Sequence, residues 1–351
     1  MNDDMNALKT DTLIVLLNWN GSSLTIDCCK SLLKLDDKSH DILVIDNHSA
    51  QSDFEPLQDF LINNSKFVSK QQPLTTHKNL FDTYEIESIV TYTFDNNVNI
   101  ILVRSLTNHG FSRGCNFGAL FAESLSYKYL MFLNNDTIVE PDFLSILKKF
   151  QSKYDIVIPQ IRYFHPASVI WNCGGEINAF GRRKYFYANE EHSKAEVPVK
   201  PFTISFATGC CMFMETTFYI ESGMFTEDYF FGEEDVDFAL RLKKREAKIA
   251  CIPHALIYHK VGASLAGDLT KLRRKAFIHY LNRFINMKKH LGLLWMFWIL
   301  PAILKMVVNL RTIYKLPFLK ILSFIWRIVF SSCKMNKVDK NYFESVMKNG
   351  Y

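Results

Sequence analysis

Apolar residues fall along this chain in short runs, each ending in a polar tip. TLIVLL (12–17) is partly β-branched and closes in Asn18-Trp19-Asn20-Gly21-Ser22, the pattern of a buried parallel strand opening into a loop. Leu24 to Leu35 then follows helical spacing, and DILVIDNHS (41–49) repeats the strand with Asp46-Asn47-His48-Ser49 at its end. NIILVRS (99–105), YLMFLNNDT (129–137) and IVIPQI (156–161) continue the theme, with Pro141-Asp142 opening a helix between the last two. Strands alternating with helices predict an α/β fold, a mostly parallel sheet flanked by helices. Ligands of such sheets bind beyond the carboxyl ends of the strands, which marks the tips at 18–22, 46–49 and 134–136. Further on, FATGCCMFM (206–214) predicts a strand and Thr216–Ser222 a helix. An aromatic loop (225–232) follows, then a helix opening with four acids in 233–237 and running to about Lys244. KIACIPH (248–254) and ALIYHK (255–260) close the acidic body, with His259 ending a strand. Residues 62–98 are polar and irregular and read as an insertion.

Charge divides the chain in two. From Lys271 onward there are 16 Lys and Arg against 2 acids, while residues 1–270 hold 25 basic and 34 acidic residues. An acidic body with a basic, aromatic tail points to a membrane surface or nucleic acid as the tail's partner. At 351 residues the chain is long enough for a large core without disulfides or structural metal. Its eight cysteines form no CxxC, so they read as small buried residues of a reducing cytoplasm. Met1 to Thr10 carries one Lys and two Asp and lacks the basic region of a signal peptide.

The strand tips carry the candidate chemistry. An Asp after a strand often caps a turn for local reasons, and Asp46 alone says no more than that. Asn134-Asn135-Asp136 offers amide and carboxylate oxygens, hard donors for Mg²⁺ or Mn²⁺. The imidazole of His259, ending its own strand, would complete a site that has one carboxylate in Asp136. The acids at 233–237 suit the start of a helix. They also follow Tyr229-Phe230-Phe231-Gly232, and a carboxylate beside aromatics and other carboxylates has a raised pKa and can act as a general base. Gly110, Gly114 and Gly118 recur every four residues, a small face for close helix packing rather than a dinucleotide fingerprint.

VLLNWNG (15–21), LVIDNHSAQSD (43–53), NHGFSRGCNFG (108–118), YLMFLNNDTIVEPDFL (129–144), TGCCMFM (208–214) and the stretch 223–264 resemble, in this order, family 2 glycosyltransferases of the GT-A fold. They look closest to the bacterial rhamnosyltransferase-like branch, which builds cell-surface polysaccharides of O-antigen or capsule type. The resemblance runs from about residue 12 to about 290, outside 62–98. It implies a donor site for a nucleoside-diphospho-sugar at Asn18, Asn20, Asp46, Gly114, Asn116, Asn134, Asn135 and Asp136. It implies a divalent cation, Mn²⁺ or Mg²⁺, on Asp136 and His259, with Asn134 at the first position of the Asp-x-Asp motif. Asp235 matches the catalytic base, paired with Glu234. Trp171, Gly174 and Gly175 resemble an acceptor-side segment. The implied reaction is inverting transfer to a hydroxyl of a glycan or lipid-linked acceptor.

The expected organisation is a catalytic domain over 1–265 and a basic amphipathic region over 266–351. KLRRKAFIHYLNRFINMKK (271–289) places Phe277, Tyr280, Leu281 and Phe284 at helical spacing, and apolar stretches follow at 291–310 and 318–330. Basic, aromatic-rich amphipathic helices lie in a membrane interface. Pro301 and Lys305 interrupt the longest run, so a helical cap on the body and a true span stay open beside peripheral attachment. The expected location is the inner face of the plasma membrane, with no nucleic acid bound, because no matching motif occurs and the tail is too apolar. A homo-oligomer is compatible with the pattern. Two other functions fit an α/β scaffold. A nucleotidyltransferase would want a basic, glycine-rich loop after the first strand, which Asn-Trp-Asn-Gly-Ser is not. A membrane-bound scaffold with a degenerate transferase domain is countered by the intact Glu234-Asp235 pair.

Overall fold

A computed structural model describes residues 10–70, 78–261 and 269–351. The Met1–Thr10 segment, except Thr10, and the expected domain boundary at 265/266 lie outside the described residues. The first half runs β1 (Thr12–Asn18), α1 (Ser22–Leu32), β2 (His40–Asp46), α2 (Gln51–Asn64), β3 (Phe67–Lys70), α3 (Lys78–Thr83), β4 (Ile86–Thr93), β5 (Asn99–Ser105), α4 (Gly110–Ser124) and β6 (Tyr129–Leu133). The second runs β7 (Thr137–Val139), α5 (Phe143–Gln151), β8 (Ile156–Tyr163), β9 (Ile170–Asn172), β10 (Gly175–Ile177), β11 (Arg183–Tyr185), β12 (Phe202–Ile204), β13 (Cys211–Glu215), α6 (Thr216–Glu221), α7 (Glu234–Lys244) and β14 (Ile249–His259). The tail forms α8 (Leu269–Leu291), a 3-10 turn, α9 (Trp295–Thr312), α10 (Phe318–Lys334) and α11 (Lys340–Asn349).

The main sheet is ordered β12-β14-β8-β13-β6-β1-β2-β5-β4-β3, with β7 on β14 and β9 on β8. Strands β1, β2, β5 and β6 are parallel. After β1 the chain moves one way to β2 and β5, then returns to lay β6 on β1's other side. The gap between the carboxyl ends of β1 and β6 is therefore the switch point where open α/β sheets bind ligands. Alternation along β1 sends Leu13 and Val15 to one core and Ile14 and Leu16 to the other. On the Val15 face, α4 packs close because a Cβ at Gly118 would lie 2.7 Å from Val15 and one at Gly114 2.6 Å from Leu17.

Several expectations change. The described part of 62–98 is not irregular: β4 extends the sheet edge antiparallel to β5, and β3 pairs antiparallel with β4. Their alternating pattern is weak because Phe67 and Val68 are exposed at the edge. Residues 206–210 are not strand, and β13 begins at Cys211. The stretch that closes the acidic body is one long strand, β14, with a register shift between Ile252 and Leu256. The helix expected over 24–35 spans Ser22–Leu32. The tail is not set apart from the body, since Phe277, Leu281 and Ile285 of α8 share one hydrophobic cluster with Tyr229, Val236 and Leu240.

Candidate active site

The strand ends are tied by a side-chain network. Asn18 Nδ2 donates to Asp46 Oδ1 at 2.8 Å, Thr25 Oγ1 donates to Asn18 Oδ1 at 2.8 Å, and Asn135 Nδ2 donates to Thr25 Oγ1 at 2.8 Å. Asn18 and Asp46 are fully buried, so they brace β1 against β2 below the surface. Asp46 also accepts from the Ser49 amide, and Asn20 Oδ1 accepts from the Ala50 amide. Between them Trp19 stands 59% exposed at the rim of the switch point. Asn116 is saturated: it donates to the Phe225 carbonyl and Glu227, and accepts from Tyr219 and the Phe225 amide. With Gly114 it holds the aromatic loop and α4 in place rather than facing open space.

Strand β7 pairs with β14 so that Thr137 faces His259, which puts the histidine beside Asp136. Their Nε2 and Oδ1 lie 3.0 Å apart. Buried Asp136 Oδ1 and His259 Nδ1 have no other hydrogen-bond partner among the described residues. Burial works to lower the imidazole pKa, but Cys210 and Asp136 outweigh it and lift it to about 10. Burial also raises the Cys210 thiol and keeps it protonated, so the Asp136 carboxylate is the partner that charges the ring. Among the described residues no three His, Cys, Asp or Glu side chains converge as a full metal cage. Once the charged ring gives up its proton, one carboxylate and one neutral imidazole would fit a cation whose other ligands come from a diphosphate and water. Trp171 stacks edge-on against His259, with ring centroids 4.5 Å apart. Gly174 and Gly175 are packing positions: a Cβ on Gly175 would lie 2.2 Å from the Lys184 carbonyl oxygen.

The acids of 233–237 separate into two kinds. Glu233, in the left-handed region at φ 79°, has a fully buried side chain held by Arg283 at 2.6 Å and Asn286 at 3.1 Å. Burial would raise its pKa, yet Arg283 first, then His279 and Arg183, hold it below the ordinary value. Asp237 is paired with Arg241 and His290, both at 2.8 Å. Glu234 and Asp235 have no ion pair or side-chain hydrogen bond among the described residues. Burial, then the Asp235 charge, lifts buried Glu234 to about 8, and its Oε2 has no partner. Asp235 is half-buried, and burial and Glu233 raise its pKa against the opposing pull of Arg183 and Arg283.

The segment 205–210 links the two halves of the site. Asn134 N donates to the Cys210 carbonyl at 2.8 Å, and Arg183 lies over the Phe206 ring at 5.3 Å. Sequence reasoning missed Arg183, Arg283 and Asn286. Asn282 and Asn286, four apart within the apolar face of α8, were a legible signal of buried polar contacts, and both are fully buried.

Residues 82–222 match Glycosyl transferase family 2. No curated protein matches the chain in sequence. Among solved structures, GalNAc-T7 with UDP, GalNAc and Mn²⁺ aligns at TM-score 0.53 and 13% identity over 81% of this chain and 48% of that one. This chain therefore spans about half the length of that protein. Mannosyltransferase PcManGT from Pyrobaculum calidifontis, in complex with GDP-Man and Mn²⁺, aligns at 0.50 and 10% identity over 93% of this chain and 88% of that one.

Proposed function

We propose that this chain, a glycosyltransferase with a family 2 segment on a GT-A fold, moves a sugar from a nucleoside-diphospho-sugar to a hydroxyl of a glycan or lipid-linked acceptor with inversion. Its product belongs to cell-surface polysaccharide of the kind a rhamnosyltransferase-like branch builds, on the inner face of a membrane. The observation that carries the reading is the sorting of the acidic cluster: of its acids, Asp235 is both unpaired and partly exposed, with a pKa raised first by burial. A general base works best near the operating pH. Asp235 takes the proton of the acceptor hydroxyl as that oxygen bonds to the anomeric carbon. The bond from that carbon to the diphosphate breaks, and its electron pair leaves with the nucleoside diphosphate. Attack opposite the leaving group inverts the centre.

The donor lies across the switch point, over the Asn18-Asp46 brace, with Asn20, Asn134 and Asn135 at its edge. Asn116 and Gly114 fix the helix and loop behind it. Asp136 and His259 would hold Mn²⁺ or Mg²⁺, whose positive charge stabilises a departing diphosphate. Trp171, with Gly174 and Gly175 shaping its loop, walls the acceptor side.

The test is a screen of UDP-, dTDP- and GDP-sugars with Mn²⁺ for thermal stabilisation and nucleotide release. Asp235→Asn is expected to cut release ~10²–10⁴-fold while the donor still stabilises the protein. Wild-type turnover in that variant would remove Asp235 from the base role.

A further inference from the structure

The aromatic loop between α6 and α7 touches both halves of the site. It runs from Phe225 to Gly232, and Asp235 follows three positions on. Gly232 and Glu233 both take left-handed φ, 76° and 79°, so the chain turns sharply from the loop into α7. On the donor side the loop presses on Gly110, where a Cβ would lie 2.6 Å from the Phe230 carbonyl oxygen. The Gly110 carbonyl in turn accepts from Asn47 Nδ2 at 3.0 Å, and the Asn47 amide donates to the Asn18 carbonyl at 2.8 Å. One short loop therefore lies between the Asn18-Asp46 brace and the proposed base. Its start is held by Asn116 on Phe225, and its end by Asn282 Nδ2 of α8, which donates to the Phe231 carbonyl at 2.8 Å. Its middle is held by the segment that follows α10. Tyr229 and Val338, both buried, form a parallel bridge. The Val338 amide donates to the Asp228 carbonyl at 2.7 Å, and the Phe230 amide to the Val338 carbonyl at 2.9 Å. Asp339 then caps α11 by accepting from the Tyr342 amide, and α11 brings the Phe343 ring against Phe230 and Phe231, with centroids 5.1 and 5.6 Å away. The other end of α11 is fastened to α8 instead. Arg274 donates to the Lys348 carbonyl at 3.0 Å, and Tyr351 stacks on Phe277 with ring centroids 4.4 Å apart.

We infer that Val338 and Phe343 are positioning residues for sugar transfer: segment 335–343 is a strap that fixes the aromatic loop between the donor side and Asp235. This assignment rests on the transferase reading and adds to it a part of the tail that works for the active site. A loop pinned at its two ends is free to shift in the middle, and a misplacement of about 1 Å at a reacting group costs ~100-fold in rate. The bridge to Val338 and the ring of Phe343 remove that freedom. The ring contact is not core packing, since Phe231 stays 44% exposed and Phe343 is half-buried. Its consequence is therefore the place of the loop more than the stability of the fold. Because α11 grips the loop at one end and α8 at the other, the two roles fall on different side chains.

The test compares full-length proteins by calorimetric binding of UDP, dTDP and GDP with Mn²⁺, and by nucleotide release from UDP-glucose, dTDP-rhamnose and GDP-mannose. Phe343→Ala should keep the wild-type number of nucleotide sites per chain and a donor KM within about 3-fold, yet release nucleotide ~10–100-fold more slowly. Val338→Pro, which lacks the amide that donates to Asp228, should act in the same sense. Phe343→Tyr keeps the ring and should stay within about 2-fold of wild type. Tyr351→Ala loosens α11 from α8, touches no residue of the loop, and should leave release unchanged. A merely structural role gives a different pattern: nucleotide sites per chain fall in step with release, and Tyr351→Ala behaves like Phe343→Ala. Either of those results overturns the strap, as does wild-type release from Phe343→Ala. Should Phe343→Ala not fold, Phe343→Leu carries the same comparison, with the ring removed and the bulk kept. If the wild type binds and releases nucleotide and the strap variants match it, the strap fails and the transferase reading stands. If the wild type binds none of the three nucleotides, the transferase reading fails and the strap's role in transfer fails with it.

Discussion

Glu234 and Asp235 are neighbours in sequence, the first buried and the second partly exposed, and pH separates their effects. Glu234 has a folded-state pKa of about 8 against an ordinary 4.5, with burial the largest cause. A raised carboxyl contributes its stability fully below the ordinary value and loses it as pH rises toward about 8. Glu234→Gln cannot ionise, so its melting temperature should fall less than that of wild type between pH 5 and pH 8.5. At the upper end the variant should be more stable by an amount on the order of 2–3 kcal/mol. Identical pH profiles would mean that Glu234 is not buried as the acid. On the proposed reading Asp235 carries the activity instead. Its raised pKa, set by burial and by Glu233 against Arg183 and Arg283, should make turnover fall on acidification at a pH above the ordinary Asp range. Asp136 and Asp235 were legible in the sequence because a carboxylate at a strand end and acids at a helix start stand out from apolar surroundings. Arg183 was not, because its role comes from a hairpin that folds 50 residues of chain back beside the acids, and no local pattern announces that.

The pairing of α7 with α8 determines which acids remain free. Arg283 and Asn286 neutralise and hold Glu233 at a backbone conformation that non-glycine residues adopt at a cost of about 1–3 kcal/mol. Arg283→Met would leave a buried carboxylate unpaired, a loss of ~3–5 kcal/mol, and adding Glu233→Gln should restore most of it. Chemical denaturation of the two variants checks this, and a single variant as stable as wild type would show that the pair is not buried. The β10–β11 hairpin is held as tightly. Gly175→Ala would place a methyl 2.2 Å from the backbone oxygen of Lys184, which cannot rotate away. The expected cost is ~1–3 kcal/mol, with Arg183 displaced from the acids and nucleotide release lowered. A fully active, fully stable Gly175→Ala protein would mean that the hairpin is not closed as described. Strands with clean apolar runs, β1, β2, β5 and β6, were readable from the sequence. The edge hairpin β3–β4 was not, because a half-exposed edge strand shows neither a continuous apolar run nor strict alternation.

At the scale of the whole molecule, charge and exposed apolar surface fall on the same segment. Among the described residues one helical stretch, Leu269–Thr312, is long and apolar enough to cross a membrane, and only 11% of its most apolar window is buried. A core helix would show the opposite. α8 is fastened to the body by Arg283, Asn286 and His290, so the free apolar surface begins at the 3-10 turn, where Leu293 is 86% exposed. It continues through α9 and onto α10, with Leu319 79% exposed and Trp326 63% exposed. A tail fixed to a folded body, with apolar side chains open along α9 and α10, suits a surface that lies against lipid. The sequence showed the basic, aromatic tail but not this division of labour, since α8's buried asparagines are recognisable only once its partner face is known. Replacing Leu300, Leu304 and Leu319 with Ser removes apolar area that is mostly exposed, so folding stability should change little. Partition onto anionic phosphatidylglycerol vesicles should fall by at least ~100-fold, because each leucine contributes roughly 1.5–3 kcal/mol when fully buried. Sedimentation with vesicles at low and high salt separates the two forces: the wild-type protein should lose part of its binding in high salt, through the screened lysines and arginines, and the triple variant nearly all of it. Retention of the triple variant on vesicles at high salt would show that lipid is not what covers this face. Light scattering on the same two proteins then decides whether a second copy of the chain covers it, since a dimer held by these leucines would dissociate in the variant.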